Sequence, residues 1–289
     1  MMKGKANMDK GTQAELSRFP VTFGSGEVKL AGEILFPNKR HPVPGAILCH
    51  GFGSSYRAVE TGARIIANCG VAVLIFDFRG HGGSGGILDG NIVVDVVDAW
   101  HFLSDFPGID RRRIALAGHS MGAMAAILAA RQVNPHALIA LSCPPELGGK
   151  LADVASFLLE NWVNKDSGFE EYRRDGVFPW LKGPFALLWH LWVHLAGYQQ
   201  RVDWRGFLEV VTRAKMSTAL CELKNCSKLF VHCQGDSLTP YQAVLELYKK
   251  AEKPKGFLFD RGGFHSAPLL PGSLRAGWTR WVVATLMTN

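Results

Sequence analysis

The chain has 289 residues, of which 47% are hydrophobic and 20% charged, so it can bury a sizeable core and suits one α/β domain with an insertion. Its formal charge of +7 comes from scattered basic residues, which favours a solvated basic surface over nucleic-acid binding. The six cysteines form no C-x-x-C pair, and the first 12 residues hold no apolar segment typical of a secretion signal, so we expect a cytoplasmic protein with buried thiols.

Along the chain, strand and helix patterns alternate as a mostly parallel sheet requires. Alternating apolar and polar residues predict an antiparallel hairpin at the start, and continuous apolar runs predict buried strands further on. The predicted strands are residues 19–23, 28–36, 45–49, 71–78, 113–117, 137–143, 228–235 and 256–259. The predicted helices are residues 57–68, 91–106, 121–131, 241–251 and 273–287.

A glycine-rich loop at residues 79–86 follows the fourth predicted strand, and Gly80, Gly82 and Gly85 satisfy the pattern G-x-G-x-x-G. A dinucleotide-binding loop opens directly into a helix and is followed by an acidic residue near a second strand. Here residues 87–90 prolong the loop, and the next acidic residues, Asp95 and Asp98, lie inside the predicted helix. We therefore interpret this segment as a flexible turn through which the chain leaves the sheet.

The alternation is interrupted between residues 146 and 225, where predicted helices carry many aromatic side chains. We predict a helical cap over 146–225, inserted between two core strands. The core then comprises residues 19–145 and 226–289, after an N-terminal extension at 1–18. Residues 181–198 are apolar but shorter than the roughly 20 residues of a membrane span, so we expect an amphipathic lid helix and no transmembrane segment. The sequence leaves open whether the cap contacts a membrane surface.

Two histidines in this predicted lid helix, His190 and His194, have the spacing of ligands in a zinc motif. No carboxylate stands beside them, and histidines at the edge of an apolar helix are the commoner case. We therefore expect no metal ion, and no motif calls for an organic cofactor.

Ser120 stands between a predicted buried strand and an alanine-rich helix, in the motif GHSMG at residues 118–122. The glycines on either side suit a turn too tight for Cβ atoms, and the helix start offers free N–H groups to a developing negative charge. A purely structural turn would have the same pattern, so the rest of the sequence must show whether Ser120 is a nucleophile.

A serine nucleophile needs a base that takes its proton and a carboxylate that orients the base. Asp236 follows the predicted strand at 228–235, and His265 follows the predicted strand that ends at Phe259. Because the carboxyl ends of parallel strands meet at one edge of a sheet, we expect Ser120, Asp236 and His265 to converge there.

Both partners of the serine have rivals. Asp236 could be only a turn or capping residue, and Glu146, which follows the strand ahead of the cap, could supply the acid in its place. The rivals of His265 near the same predicted edge are His50, His81 and His119. They belong to turn motifs or to the glycine-rich loop and none follows the last strand, so we favour His265 as the base and Asp236 as the acid.

Five short motifs carry a family resemblance. They are HGFG at 50–53, DFRGHGGS at 77–84, GHSMG at 118–122, GD at 235–236 and GFH at 263–265. Together they resemble the α/β-hydrolase superfamily, especially its serine esterases and its monoacylglycerol-lipase-like or cinnamoyl-esterase-like members, over nearly all of the chain except the cap. The resemblance implies an α/β-hydrolase fold with a mostly parallel central sheet, and an oxyanion hole formed by the backbone N–H groups of Phe52 and Met121.

The predicted reaction is two-step acyl transfer to Ser120 from a carboxylic ester with an apolar acyl or aromatic group. A serine at this position argues against the epoxide hydrolases and haloalkane dehalogenases, which resemble this fold but use a carboxylate there. A thioesterase or amidase on the same triad, and a ligand receptor that keeps the fold without hydrolysis, stay open as alternatives. The sequence predicts neither the natural substrate nor the oligomeric state.

Overall fold

A computed structural model describes residues 16–39, 41–146 and 201–288. Its strands are β1 (Ser17–Ser25), β2 (Val28–Phe36), β3 (Val43–Cys49), β4 (Ala72–Phe76), β5 (Ile109–His119), β6 (Ala137–Leu141), β7 (Ser227–Cys233) and β8 (Lys255–Asp260). Its helices, numbered over the described residues, are α1 (Arg57–Asn68), α2 (Ile92–Asp105), α3 (Met121–Val133), α4 (Trp204–Arg213), α5 (Met216–Glu222), α6 (Tyr241–Lys250) and α7 (Ser273–Met287).

The eight strands form one sheet in the order β1-β2-β4-β3-β5-β6-β7-β8. β1 and β2 form an antiparallel hairpin whose turn contains Gly26 at φ +57°, and β2 pairs antiparallel with β4. Every other pairing in the sheet is parallel. The predicted α/β class with a mostly parallel sheet is therefore confirmed, and the parallel strands bring their carboxyl ends to one edge.

Helices cover both faces of the sheet, which explains why its central strands are continuous apolar runs. In β4, Leu74 belongs to the core on the side of α2 and α3, whereas Val73 and Ile75 belong to the core on the side of α1 and α7. Trp278 of α7 is almost fully buried in the second of these cores. The molecule is thus layered helix, sheet, helix.

The fourth strand is shorter than its apolar run predicted, because it ends at Phe76 and not at residue 78. Asp77 turns the chain out of the sheet, and its carboxylate accepts hydrogen bonds from Tyr56 N at 2.8 Å and Gly83 N at 2.9 Å. The end of a hydrophobic run therefore does not predict where the strand ends, because the last residues of the run can belong to the following loop.

Helices α4 and α5 lie between β6 and β7, inside the segment predicted to form the cap. Residues 147–200, which include His190, His194 and the predicted lid helix, lie outside the described residues, so the cap boundaries stay a prediction. Among the helices that are described, none is long and apolar enough to cross a bilayer.

Candidate active site

Ser120 occupies a strained turn between β5 and α3, with φ at +53°, a conformation that non-glycine residues rarely adopt. Its N–H donates to the Leu141 carbonyl at 2.9 Å, which ties the turn to the end of β6. A Cβ atom at Gly118 would overlap the Gly122 carbonyl, and one at Gly122 would lie 2.5 Å from the His50 carbonyl oxygen. Close backbone approach on both sides therefore accounts for the two glycines of the motif.

His265 and Asp236 are in direct contact, with Nδ1 of the imidazole 2.9 Å from Oδ2 of the carboxylate. The other carboxylate oxygen accepts from the backbone N–H groups of Leu238 and Thr239, each at 2.9 Å, and the Thr239 hydroxyl donates to Oδ2 at 2.6 Å. Every bond in this set stabilises an ionised carboxylate.

The pKa of Asp236 reflects two opposing effects. Burial is the largest single effect and raises the pKa, while the hydrogen bond and charge of His265, followed by the bond from Thr239, lower it. The lowering effects together prevail, and the pKa of Asp236 lies below its ordinary value. This side chain is therefore a carboxylate at neutral pH.

The backbone carbonyl of His265 is held by two donors from neighbouring loops. Ser142 Oγ donates to it at 2.7 Å and His119 Nε2 donates at 3.0 Å. The rings of His119 and His265 lie 4.8 Å apart, centroid to centroid. Because His119 directly precedes Ser120, these contacts tie the loop of His265 to the turn of Ser120.

The His119 ring acts here as a neutral donor. Burial, followed by the charge of nearby His265, lowers the pKa of His119 to about 3, so the ring carries a single proton at neutral pH. The carbonyl of His265 requires that proton on Nε2.

Ser120, Asp236 and His265 thus follow β5, β7 and β8 at the carboxyl edge of the sheet, as the alternation of elements predicted. The loop after β3 lies beside them, because a Cβ atom on Gly51 would come within 3.3 Å of the Ser120 Cβ. Phe52 in this loop stacks its ring on Phe207 of α4, with centroids 5.4 Å apart.

Met121 is the first residue of α3, where backbone N–H groups have no partner within the helix. Its position directly after Ser120 and the position of Phe52 in the adjoining loop are those that the resemblance implies for oxyanion donors.

Glu146, the rival acid, contacts a different element. Its carboxylate accepts from the backbone N–H of Ser217 at 2.5 Å and from the Ser217 hydroxyl at 2.9 Å, in the first turn of α5. Within the described residues, the carboxylate that the structure brings to His265 is that of Asp236.

Sequence reasoning missed two residues that support these side chains. Ser142, at φ +45° and fully buried, fell inside a predicted strand. His232 in β7 donates from Nε2 to the Thr239 carbonyl at 2.8 Å and lies 3.8 Å from Asp236 Oδ2, beneath the acid. Neither residue belongs to a motif. The only sign of their roles in the sequence is that each is a polar residue within an apolar run predicted to form a strand.

The glycine-rich loop is anchored by a buried ion pair, in place of the flexible turn that we predicted. Arg79 Nη2 lies 2.7 Å from Asp95 Oδ1, and the Arg79 backbone N–H donates to Oδ2 of the same carboxylate at 3.0 Å. Ser25 Oγ donates to Asp95 at 2.7 Å. Asp95, an acidic residue that counted against nucleotide binding, is therefore the anchor of this loop.

Comparison with known proteins agrees with the fold and the motifs. Residues 46–275 match the alpha/beta hydrolase family, and the chain belongs to that family. A stretch of 97 residues is 33% identical to an uncharacterised protein of Mycobacterium tuberculosis, and this match spans about a third (34%) of that protein's length. A putative non-heme haloperoxidase of Mycobacterium phage D29 is 25% identical over 260 residues, which cover 80% of this chain and 84% of that protein.

Two solved structures illustrate the likeness in fold. The alpha/beta hydrolase GrgF from Penicillium sp. sh18 superposes with a TM-score of 0.70 at 19% identity, covering 94% of this chain and 98% of GrgF. The esterase Pf2001 from Pyrococcus furiosus gives a TM-score of 0.63 at 19% identity, covering 94% and 91% of the two chains. The chain therefore has the α/β-hydrolase fold, and its family membership supports hydrolase activity.

Proposed function

We propose that this chain is a serine hydrolase of the carboxylesterase type, with Ser120 as nucleophile, His265 as general base and Asp236 as the orienting acid. The observation that carries the proposal is the 2.9 Å contact between His265 Nδ1 and the buried Asp236 carboxylate. The bond from His119 to the His265 carbonyl, next in sequence to Ser120, supports the same arrangement.

In the first step, Ser120 Oγ bonds to the ester carbonyl carbon while its proton passes to His265 Nε2. The negative charge that develops on the carbonyl oxygen is received by the N–H groups of Phe52 and Met121. The tetrahedral intermediate collapses, the bond to the leaving oxygen breaks, and His265 returns the proton to that alcohol.

In the second step, water attacks the acyl-enzyme and gives its proton to His265, and the acid is released as Ser120 recovers its proton. Asp236 fixes the imidazole with Nδ1 protonated and Nε2 facing the reaction, and its charge stabilises the imidazolium that forms in both steps. The lowered pKa of Asp236 suits this role, because a neutral carboxyl group could not supply the charge.

The proposed substrate carries an apolar acyl or aromatic group. The ring of Phe52, stacked on Phe207, supports this choice because it places an apolar surface next to the loop proposed to bind the carbonyl oxygen. Thioesters and amides would undergo the same acyl transfer, so the leaving group is decided by experiment.

Hydrolysis of p-nitrophenyl esters, acyl-CoA thioesters and aminoacyl amides by purified variants tests the proposal. For the preferred ester, we expect Ser120→Ala to lower kcat by about 10³-fold or more and Asp236→Asn to lower it by about 10³- to 10⁴-fold. Glu146→Gln is the matched control, because it makes the same kind of change at the rival acid, and its activity should stay near that of the wild type. Full esterase turnover by Ser120→Ala, or an unaffected Asp236→Asn enzyme, would refute the assignment.

A further inference from the structure

Two buried imidazoles join the loop after β3 to the segment after β4, which contains Phe78 and the glycine-rich loop. His81 Nε2 lies 3.2 Å from the backbone N of Gly53, and its Nδ1 lies 3.1 Å from the Arg79 carbonyl. His50 Nε2 lies 3.1 Å from the backbone N of Phe78, and its Nδ1 lies 2.7 Å from the Gly51 carbonyl. Both loops therefore depend on the same pair of rings.

The partners of these rings define their protonation. A backbone N–H can only donate, so each Nε2 is an unprotonated acceptor, and each Nδ1 must carry the proton that its carbonyl partner accepts. His50 and His81 are 0% and 1% exposed, and burial agrees with the neutral state because it lowers the pKa of both rings. An imidazolium at position 81 would turn a second N–H toward that of Gly53 and break the contact.

The two rings act on the peptide units that flank Phe52. A trans peptide unit is planar, with its C=O and N–H pointing in opposite directions. When His50 binds the Gly51 carbonyl, it fixes the plane that contains the Phe52 N–H. When His81 binds the Gly53 N–H, it fixes the next plane. Two fixed planes leave Phe52 little freedom in φ and ψ.

We propose that His81 is a positioning residue for the oxyanion hole: its neutral Nε2 holds Gly53 so that the Phe52 N–H stays aimed at the substrate's carbonyl oxygen. This inference rests on the proposed esterase function. The anchor of His81 is itself rigid, since Arg79 is bound through its backbone and its guanidinium to the buried Asp95. The buried ion pair of Arg79 and Asp95 thus supports the loop after β3 through the imidazole of His81.

Three substitutions separate the two contacts of His81. His81→Leu removes both, His81→Gln restores an acceptor near the position of Nε2, and His81→Asn restores only a donor near the position of Nδ1. With a p-nitrophenyl ester, we expect kcat to fall about 10- to 100-fold in the Leu and Asn variants with KM within about threefold. This is less than the roughly 10²- to 10³-fold loss on removing an oxyanion donor, because the Phe52 N–H is displaced and not removed. The Gln variant should recover most of the activity. The binding of a trifluoromethyl ketone, which forms an oxyanion on Ser120, should weaken in parallel with kcat.

His136→Leu is the matched control, because His136 precedes β6 at the opposite edge of the sheet. This variant should keep wild-type kcat and inhibitor affinity. Equal rescue by Asn and Gln, or a change confined to KM, would overturn the inference, since either result would give His81 a merely structural role.

Amide hydrogen exchange of Gly53 gives a readout that does not need turnover. Exchange should be slow in the wild type and in His81→Gln, and at least tenfold faster in His81→Asn and His81→Leu. If the wild type hydrolyses no ester, the proposed function fails, while the exchange rates still decide whether His81 holds the loop. Exchange at Gly53 that is equally fast in all of these proteins would end the inference, even if the Leu variant failed to fold.

Discussion

Ser142 and His265 are 123 positions apart in the chain, yet the Ser142 hydroxyl donates to the His265 carbonyl at 2.7 Å. This contact fixes the backbone of the proposed base from the side of β6, while His119 fixes it from the side of β5. Small displacements of a base relative to its nucleophile reduce rates strongly, so the two donors matter beyond their contribution to stability.

Replacing Ser142 by alanine should weaken this support without removing it, because His119 still binds the carbonyl. We expect kcat to fall about three- to tenfold and the free energy of unfolding to fall by about 1 kcal/mol, the usual effect of one lost hydrogen bond. Steady-state kinetics and urea denaturation measure both quantities. Ser104→Ala is the control, because Ser104 Oγ is buried and has no hydrogen-bond partner within the described part of the chain. Equal kinetics for the two variants would contradict this account of Ser142.

At this scale, the sequence indicated candidate residues that lie in motifs or directly after strands. The flanking glycines indicated Ser120, and the strands before Asp236 and His265 indicated these two residues, whose side chains are in contact in the structure. Ser142 and His232 were not recognisable, because their roles depend on loops that meet only in the folded molecule. The alternative interpretation of Asp236 as a capping residue also has support, since its carboxylate accepts a hydrogen bond from the Thr239 N–H just before α6.

Among the elements, the unit of β5, Ser120 and α3 is the most constrained. The helix packs so closely against the end of β3 that a Cβ atom on Gly122 would lie 2.5 Å from the His50 carbonyl oxygen and 2.6 Å from that of Cys49. Backbone atoms cannot move aside as a flexible side chain can. The helix therefore sets the position of the loop that contains Phe52 as well as that of Ser120.

Gly122→Ala should consequently destabilise the protein and displace the loop after β3. We expect a loss of about 3 kcal/mol in the free energy of unfolding, at the upper end of the effect of overpacking, together with a loss of esterase activity. Urea denaturation monitored by tryptophan fluorescence gives the stability. Gly24→Ala is the matched control, because a Cβ atom there meets nothing within 4 Å, and its stability should stay close to that of the wild type. A Gly122→Ala protein as stable as Gly24→Ala would show that the two backbones do not approach as described.

Element types were predictable because apolar strands are buried on both faces of the sheet, which leaves a strong pattern. The ends of elements were less predictable. The apolar run after α1 predicted a strand to residue 78, whereas β4 ends at Phe76 because the Asp77 carboxylate binds two loops. The anchoring of the glycine-rich loop by Arg79 and Asp95 was missed as well, since a buried ion pair leaves no periodic signal.

For the whole molecule, the decisive property is the direction of the strands. Five neighbouring pairs are parallel, so the residues after β3, β5, β7 and β8 come to one edge although they are distant in the chain. The order of the motifs along the sequence was enough to predict this convergence. The natural substrate was not predictable in the same way, because the predicted cap at residues 146–225 lies outside the motifs that carry the family resemblance.

The central claim is that Ser120, His265 and Asp236 act together as one catalytic unit. Labelling with a fluorophosphonate, followed by mass spectrometry of the modified peptide, tests it most directly. We predict covalent modification of the wild type at Ser120, none in Ser120→Ala, and labelling at least about 10³-fold slower in His265→Ala. Modification at a different residue, or labelling of His265→Ala at the wild-type rate, would contradict the claim.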